Sequence, residues 1–377
     1  MLIADIRRWL FNIAVPWWLQ HGVDQRDGGY VESFDEHCRP FEEFKRTRVT
    51  ARQIYVFSHA ALLGCPGAAE AADHGWRFLS KHAWLGTQRG WATRLSKRGE
   101  VLDATPDLYE HAFVLFALAW RHRATGDDAA LAQARRTLDF LDAAMRHPLG
   151  GYRNALPSAL PRQQNPHMHL FEAALALVET APTDARFRGL ADELADLTCT
   201  KLIQVRSGLL PELYSDNMTP LPDCSGRIVL EPGHQFEWCW ILAQHQRLTG
   251  RNHTTAITRL IEFTEKRGVD PVTGLTYNQV DIDGVIVDAG SRTWPNTERM
   301  KAAVASHDVL GRDPWPMLVT SGNLLLERYL NGSGRWIDLL DENGAPVSKV
   351  TPASTFYHIF LAFAETLRID GGQLAAL

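Results

Sequence analysis

Long apolar stretches with helical spacing recur along the chain and alternate with amphipathic stretches. The apolar stretches have almost no polar face, which is typical of helices buried on all sides. The amphipathic stretches pair an apolar stripe with a charged face, which is typical of helices that cover a core. The apolar stretches are 51–64, 107–127, 167–182, 233–250 and 354–370, and the clearest amphipathic ones are 128–147, 184–203 and 254–268.

Strand patterns are few and short by comparison. The clearest is TYNQVDIDGVIVDAG at 276–290, which alternates on both sides of Asp283-Gly284 and predicts a β-hairpin. No low-complexity segment and no Pro/Gly/Ser-rich linker divides the chain. We therefore expect a single domain over residues 1–377.

Polar residues embedded in apolar surroundings recur at nearly regular intervals along the chain. Six of them are separated by 59, 58, 65, 64 and 60 residues. This is about twice the roughly 30 residues of one helix and its connection, so each period corresponds to one helical hairpin. The six residues are Arg52, His111, His169, His234, Glu298 and His358.

Six hairpins fill the chain and predict an all-α fold. The simple closed arrangement is a ring of six inner and six outer helices. An open solenoid gives the same spacing, but solenoid repeats usually resemble one another and these do not. In a closed ring, polar residues at one end of each inner helix converge on one cavity.

The composition of the chain argues against several classes of binding partner. The chain has 377 residues, 45% hydrophobic and 22% charged, and its net charge of -5 lacks the basic excess that nucleic acid binding needs. No apolar window is long enough to span a bilayer, and no secretory signal is recognisable. The five cysteines are scattered and contain no C-x-x-C, which argues against a disulfide framework or a zinc–thiolate site. We expect a soluble, cytoplasmic protein.

Two H-x-x-E pairs occur on two predicted inner helices. His234 and Glu237 lie in PGHQFEWCW, where Pro232 and Gly233 suit the start of a helix. His169 and Glu172 lie in NPHMHLFEA, preceded one turn earlier by Asn165. A lone histidine of this kind is usually a core residue satisfied by its glutamate, but two such pairs favour a function. They could bind a divalent ion, or the glutamates could orient the imidazoles for proton transfer.

Other polar residues of the inner helices allow both structural and functional interpretations. Arg52 and Tyr55 lie in the first apolar stretch, where a buried arginine must be ion-paired or contact a substrate. His111 favours a supporting role, and His358 follows TPAST, which resembles a helix N-cap. In RTWPNTERMKA, Trp294 could face the cavity. Glu298 and Lys301 in the same segment are spaced as a helix-surface pair.

Six segments resemble, in order, the motifs of the N-acylglucosamine 2-epimerase superfamily. They are ARQIY, LYEHAFVLFALA, NPHMHLFEA, PGHQFEW, RTWPNTERMKA and TPASTFYHI, and the resemblance runs from about residue 20 to about residue 365. It implies an (α/α)6 barrel, in agreement with the spacing. It also implies a sugar isomerase or 2-epimerase. With histidines as acid and base and Arg52 supplying the positive charge, we expect proton transfer to need no metal or cofactor.

The resemblance assigns roles residue by residue. It implies that His234 and His358 are the catalytic acid–base pair and that Glu237 supports the first of them. The matching substrate-binding residues are Arg52, Asn165, His169 and Glu172, with weaker matches at Tyr55, His111, Trp294 and Arg227.

The implied reaction is proton abstraction next to a sugar carbonyl, through a cis-enediolate that Arg52 stabilises. The motifs are most similar to the mannose isomerase branch, which predicts conversion of mannose to fructose by a monomer or homodimer. A 2-epimerase acting on N-acetylglucosamine, cellobiose or a free hexose is the alternative. A glycoside hydrolase needs two carboxylates across the bond, and a helical-repeat scaffold gives no reason for histidines on inner helices.

Overall fold

The computed structural model describes residues 1–371 of the protein. Within that part of the chain, six helices form an inner ring, and each contains one of the apolar stretches or the RTWPNTERMKA segment. The inner helices are α3 Thr47–Leu62, α5 Leu108–Thr125, α7 Gln164–Thr180, α9 Pro232–Thr249, α11 Thr293–Leu310 and α13 Phe356–Ile369.

An outer layer covers the inner ring. Its amphipathic helices are α4 Ala68–His82, α6 Asp128–Phe140, α8 Ala185–Leu197, α10 Thr254–Arg267 and α12 Trp315–Leu324, and π-helical turns extend α6, α8 and α12. The N-terminal segment supplies the sixth outer element. It consists of α1 Leu2–Arg7 and α2 Val15–His21, joined by a π-helical stretch at Arg8–Ala14.

The inner ring is closed. Each inner helix packs against the next, from α3 through α5, α7, α9 and α11 to α13, and α13 packs back against α3. Each outer helix packs against the inner helix before it, and α1 contacts both α12 and α13. The predicted (α/α)6 barrel is therefore confirmed, and the open solenoid does not describe the fold.

Short antiparallel strands connect the helices at one end of the barrel. The predicted hairpin at Asp283-Gly284 is confirmed by β8 Gln279–Asp281 and β9 Ile286–Asp288, which pair with each other, and β8 also pairs with β7 Val229–Leu230. The other sheets are formed by β1 Ser33–Phe34 with β12 Thr351–Pro352, β2 Phe44–Arg46 with β3 Arg94–Ser96 and β4 Val101–Asp103, β5 Arg162–Gln163 with β6 Leu213–Tyr214, and β10 Ser291–Arg292 with β11 Leu339–Leu340.

These strands form the rim from which the inner helices start. β2, β5 and β10 each end at the residue immediately before an inner helix. All six inner helices therefore begin at the same end of the barrel. Among residues 1–371, no helix has both the length and the apolar character needed to cross a membrane.

Candidate active site

A cavity of about 570 Å³ lies where the six inner helices begin. Every inner helix contributes at least one side chain from its first two turns, and the rim strands and loops supply the remainder. The helix residues are Arg52, Tyr109, Asn165, His169, His234, Glu237, Trp294 and His358, and the polar rim residues include Arg46, Glu231, Arg292, Asp338, Ser348 and Ser354.

His234 is held by carboxylates of the rim. Its Nδ1 lies 2.9 Å from Oε2 of Glu212 and 3.7 Å from Oε2 of Glu231. Burial alone lowers the pKa of this imidazole, but the two carboxylates outweigh burial and raise the pKa to about 10. His234 is therefore an imidazolium at neutral pH.

His358 is held in the opposite charge state. Its Nδ1 lies 2.7 Å from Oε1 of Glu298 on the neighbouring helix α11. Burial, reinforced by the positive charges of Arg52 and Lys301, keeps the pKa of His358 well below its usual range. The imidazole is therefore neutral, with its Nε2 not engaged by Glu298.

Trp294 lies between the two histidines. Its ring centroid is 4.9 Å from that of His234 and 5.6 Å from that of His358. The three rings form one wall of the cavity, with the two imidazoles on either side of the indole.

Arg52 is 5% exposed and borders the cavity. Its Nη2 donates to the hydroxyl of Tyr109 at 2.7 Å, and its guanidinium carbon lies 4.0 Å from the ring centroid of Phe113. Within residues 1–371, no carboxylate oxygen lies within 4.0 Å of its nitrogens. Of the two interpretations of this arginine, the ion-paired one is therefore wrong, and the guanidinium is available to a negatively charged oxygen.

His169 also lines the cavity, and the expected pairing with Glu172 is confirmed. The Nδ1 atom of His169 lies 3.1 Å from Oε2 of Glu172, whose carboxylate also accepts a hydrogen bond from the hydroxyl of Tyr357. Glu172 itself lies behind His169 and does not border the cavity. Asn165, one turn earlier, does border it.

Glu237 does not support His234, so this part of the prediction is wrong. The Glu237 carboxylate borders the cavity, has no hydrogen-bond partner among the described residues, and lies 3.6 Å from Nζ of Lys301. Glu212, in the loop before β6, takes the expected role. Glu298 and Lys301 also differ from expectation, because both are fully buried and do not form a surface pair.

Besides Glu172, three of the predicted substrate-binding residues do not border the cavity. Tyr55 is fully buried, with its hydroxyl 3.1 Å from Nδ1 of His59, further along α3. His111 points outward, where its Nε2 accepts from the backbone N–H of Trp91. Arg227 lies in the loop before β7 and is held by its own neighbours Ser225 and Asp223. Their side chains are thus occupied by contacts within the protein.

Three sets of donor atoms lie close enough together to hold a metal ion. They are His169 with Glu172 and Glu237, Glu212 with Glu231 and His234, and Glu237 with Glu298 and His358. In the last set the ammonium of Lys301 already lies 2.7 Å from Glu298 and 3.6 Å from Glu237. The predicted H-x-x-E pair of His234 and Glu237 does not form one of these sets.

The arrangement is suited to proton transfer at a carbon atom. One cavity contains an imidazolium, a neutral imidazole and a guanidinium without a carboxylate partner. An acid, a base and a cation for a developing oxyanion are the groups that enolisation requires.

The chain belongs to the N-acylglucosamine 2-epimerase family, whose model matches residues 29–362. The resemblance seen in the six motifs is therefore confirmed. Sugar isomerases and sugar 2-epimerases are among the proteins that match this chain over most of its length.

Both kinds of enzyme occur among the similar proteins. A mannose-6-phosphate isomerase of Rhizobium meliloti (strain 1021) is 35% identical over 372 residues, which is 96% of each chain. A cellobiose 2-epimerase of Bacteroides fragilis is 27% identical over 79% of this chain and 80% of its own. A solved structure of a D-mannose isomerase superposes with a TM-score of 0.87 at 21% identity, covering 98% of this chain and 97% of that chain, which shows the same fold.

Proposed function

We propose that the protein is an aldose–ketose isomerase that converts mannose to fructose through a cis-enediolate. The observation that carries the proposal is the pair of imidazoles in opposite charge states on either side of Trp294. His234 and His358 are thus an acid and a base at the same pH, facing one cavity. The relative that is 35% identical over 96% of both chains supports the choice of isomerase.

The two histidines divide the proton transfers between them. His234 donates a proton to the ring oxygen of the sugar while the C1 hydroxyl releases its proton to water, which opens the ring, and His234 regains a proton from water. His358 then takes the proton from C2, and the electrons of the C2–H bond form the C1–C2 double bond. The carbonyl oxygen O1 becomes negative and is stabilised by Arg52, whose charge acts strongly in a cavity with little water.

Return of the proton to C1 completes the isomerisation. His358 delivers its proton to C1, while the hydroxyl proton passes from O2 to O1, and O2 becomes the ketose carbonyl. Delivery to C2 from the opposite face would instead give the epimer. The 2-epimerase is therefore the second candidate, and it uses the same residues.

The charges of the cavity favour a free sugar over a phosphorylated one. Its lining contains three carboxylates and three guanidinium groups, and the charge of His234 is paired with Glu212 at 2.9 Å, so the cavity has no unpaired excess of positive charge for a phosphate. Tight phosphate binding generally uses arginine or lysine side chains that are free to form charge-assisted hydrogen bonds. Arg46, at the rim, is already paired with Glu32.

Product analysis tests the proposal. Mannose, mannose 6-phosphate, N-acetylmannosamine and cellobiose are each incubated with the protein in EDTA, and the products are separated by chromatography. We expect fructose from mannose as the first product, and 2-deuterated mannose should yield fructose that keeps some deuterium at C1.

Three outcomes contradict parts of the proposal. Glucose as the first product, or N-acetylglucosamine without a ketose, makes the protein a 2-epimerase. Faster turnover of mannose 6-phosphate overturns the choice of a free sugar. Activity that disappears in EDTA and returns with Mn²⁺ or Zn²⁺ replaces proton transfer by the side chains alone with metal-assisted catalysis.

A further inference from the structure

Lys301 is fully buried in the third turn of α11, among carboxylates from three inner helices. Its Nζ lies 2.7 Å from an oxygen of Glu298 and 3.6 Å from an oxygen of Glu237. Burial lowers the pKa of the ammonium, but these two carboxylates and that of Glu172 outweigh burial and raise it. The indole ring of Trp240 covers the ammonium at 4.5 Å. Lys301 is thus a permanent cation inside the barrel.

The three carboxylates around this cation all belong to the candidate site. Glu298 lies 2.7 Å from Nδ1 of His358, and Glu172 lies 3.1 Å from Nδ1 of His169. Glu237 borders the cavity directly. A change in the charge of this group therefore reaches two of the histidines that face the sugar.

Three buried carboxylates this close together cannot all stay ionised without a counter-charge. Burial and repulsion by Glu237 and Glu172 raise the pKa of Glu298 well above its usual range, although Lys301 opposes the rise. The contacts of Glu298 with the ammonium of Lys301 and with Nδ1 of His358, both at 2.7 Å, favour its ionised form. Removal of the ammonium makes the group take up a proton. Glu298 is the carboxylate whose pKa is already raised, so Glu298 accepts this proton.

We infer that Lys301 is a positioning residue that keeps Glu298 ionised and thereby keeps the proton of His358 on Nδ1. The inference rests on the proposed function, in which His358 takes the C2 proton. An ionised Glu298 accepts from Nδ1–H and leaves Nε2 free as the base. A protonated Glu298 donates to Nδ1 instead, so the imidazole proton moves to Nε2 and the base is lost.

Other charged groups also face His358, and the effect of substituting Lys301 must be distinguished from theirs. Arg52 on α3, His169 on α7 and His234 on α9 all act on the pKa of this imidazole. Each of them remains in a Lys301 variant. A change in the tautomer of His358 then reports the loss of the ammonium acting through Glu298.

The variant Lys301→Met removes the charge and keeps a long apolar side chain under Trp240. We expect kcat for mannose at pH 7 to fall by about 10²-fold or more, the size of a general-base contribution, with KM nearly unchanged. The pKa of Glu298 rises in the variant, so the acidic limb of the kcat profile moves to higher pH and activity recovers as pH increases. Arg299→Met is the matched control, because Arg299 is a buried cation on the same helix that pairs with Glu265 of the outer layer.

Imidazole ¹⁵N spectra of protein labelled at histidine give a readout that needs no turnover. The resonance of His358 is assigned by its loss in His358→Asn. We expect the pH at which its proton moves from Nε2 to Nδ1 to be higher in Lys301→Met than in wild type and unchanged in Arg299→Met. This result holds even if the wild-type protein isomerises none of the sugars tested, so failure of the proposed function is told apart from failure of this inference.

Two results overturn the role of Lys301. One is a Lys301→Met protein that melts at a lower temperature but keeps the wild-type kcat, pH profile and tautomer. The other concerns the charge-balanced variant Lys301→Met/Glu237→Gln, which also serves if the single variant does not fold. We expect its acidic limb to lie at higher pH than that of Glu237→Gln alone, because Glu298 again loses its counter-ion, and a limb that matches Glu237→Gln would contradict the counter-ion role.

Discussion

At the scale of single residues, the two histidines of the cavity owe their opposite charge states to their immediate neighbours. His234 lies in the first turn of α9 next to two carboxylates, whereas His358 faces one carboxylate and lies within reach of the charges of Arg52 and Lys301. Residue type does not distinguish them, because both are histidines in the first turn of an inner helix. Their division into acid and base therefore depends on the side chains that the fold brings to them.

Glu212→Gln tests this division. The loss of one carboxylate lowers the pKa of His234 from its value of about 10, by about one to three units for a contact of this kind. If His234 is the acid, activity is present below its pKa and is lost above it, so the alkaline limb of kcat/KM moves to lower pH. Glu179→Gln, at the opposite end of the barrel, is the control and should leave the limb in place. An unchanged limb in Glu212→Gln rejects His234 as the titrating acid.

The residues that sequence reasoning missed are those whose contacts are distant along the chain. Glu212 lies 22 residues before His234, in a loop with no recognisable pattern. The i,i+3 spacing indicated Glu237 instead, but helical side chains lean toward the N-terminus. His234, in the first turn, therefore reaches the rim and not the next turn. His169 lies one turn deeper on α7, and there the same spacing predicted its contact with Glu172 correctly.

At the scale of elements, the close contact between α9 and α11 fixes the wall formed by the three rings. Gly233 lies one residue before His234, and a Cβ atom at this position would come within 2.5 Å of the Trp294 ring and 2.9 Å of Pro295. The missing side chain lets the two helices meet where their first turns carry the site. The sequence predicted that α9 starts at this Pro-Gly pair, but not that the glycine makes room for the indole.

Gly233→Ala should displace Trp294. We expect kcat/KM to fall at least about tenfold, because small displacements of positioned groups are costly to catalysis, with about 1–3 kcal/mol lost in stability from overpacking. Gly189→Ala is the matched control, since Gly189 is exposed on α8 with open space around it. That change should keep activity and raise stability by about 0.5–1 kcal/mol. Wild-type activity in Gly233→Ala would contradict the role of the close contact.

The helices were predictable from the sequence because their period extends over four or five turns. The rim strands were mostly not, since two- and three-residue strands carry no readable period. Thr355 occupies the predicted N-cap position of α13, but its side chain makes no capping hydrogen bond. A 3₁₀ turn at Ala353–Thr355 precedes the helix, and the Thr355 hydroxyl donates to Asp338 on a neighbouring loop at 2.8 Å.

At the scale of the whole molecule, the N-terminal segment packs against the end of the chain, on α12 and on the last inner helix α13. Trp18 is fully buried, and its ring stacks on Trp336 at 5.1 Å and on Phe356 at 5.5 Å. The first and last elements of the chain thus share one aromatic cluster. The spacing of the six embedded polar residues predicted a closed ring, but nothing in it indicated which residues close it.

A closed ring should unfold as one unit, and Trp18→Ala tests this property. We expect a loss of about 3–5 kcal/mol, typical of a large buried aromatic residue, with circular dichroism and tryptophan fluorescence still reporting one coincident transition. Val272→Ala, at a position 90% exposed, serves as the neutral control. Two separate transitions would indicate that the hairpins behave as independent repeats.

All six inner helices begin at the same end of the barrel, and this shared orientation creates an electric field in the cavity. Each helix N-terminus carries about half a positive charge from its aligned peptide dipoles, and this field is strongest within the first turn. Six such poles surround the cavity in which O1 becomes negative in the proposed reaction. The backbone therefore favours an anion there whatever side chains line the walls. Replacing wall residues can change which sugar binds, but it leaves this contribution to the enediolate intact.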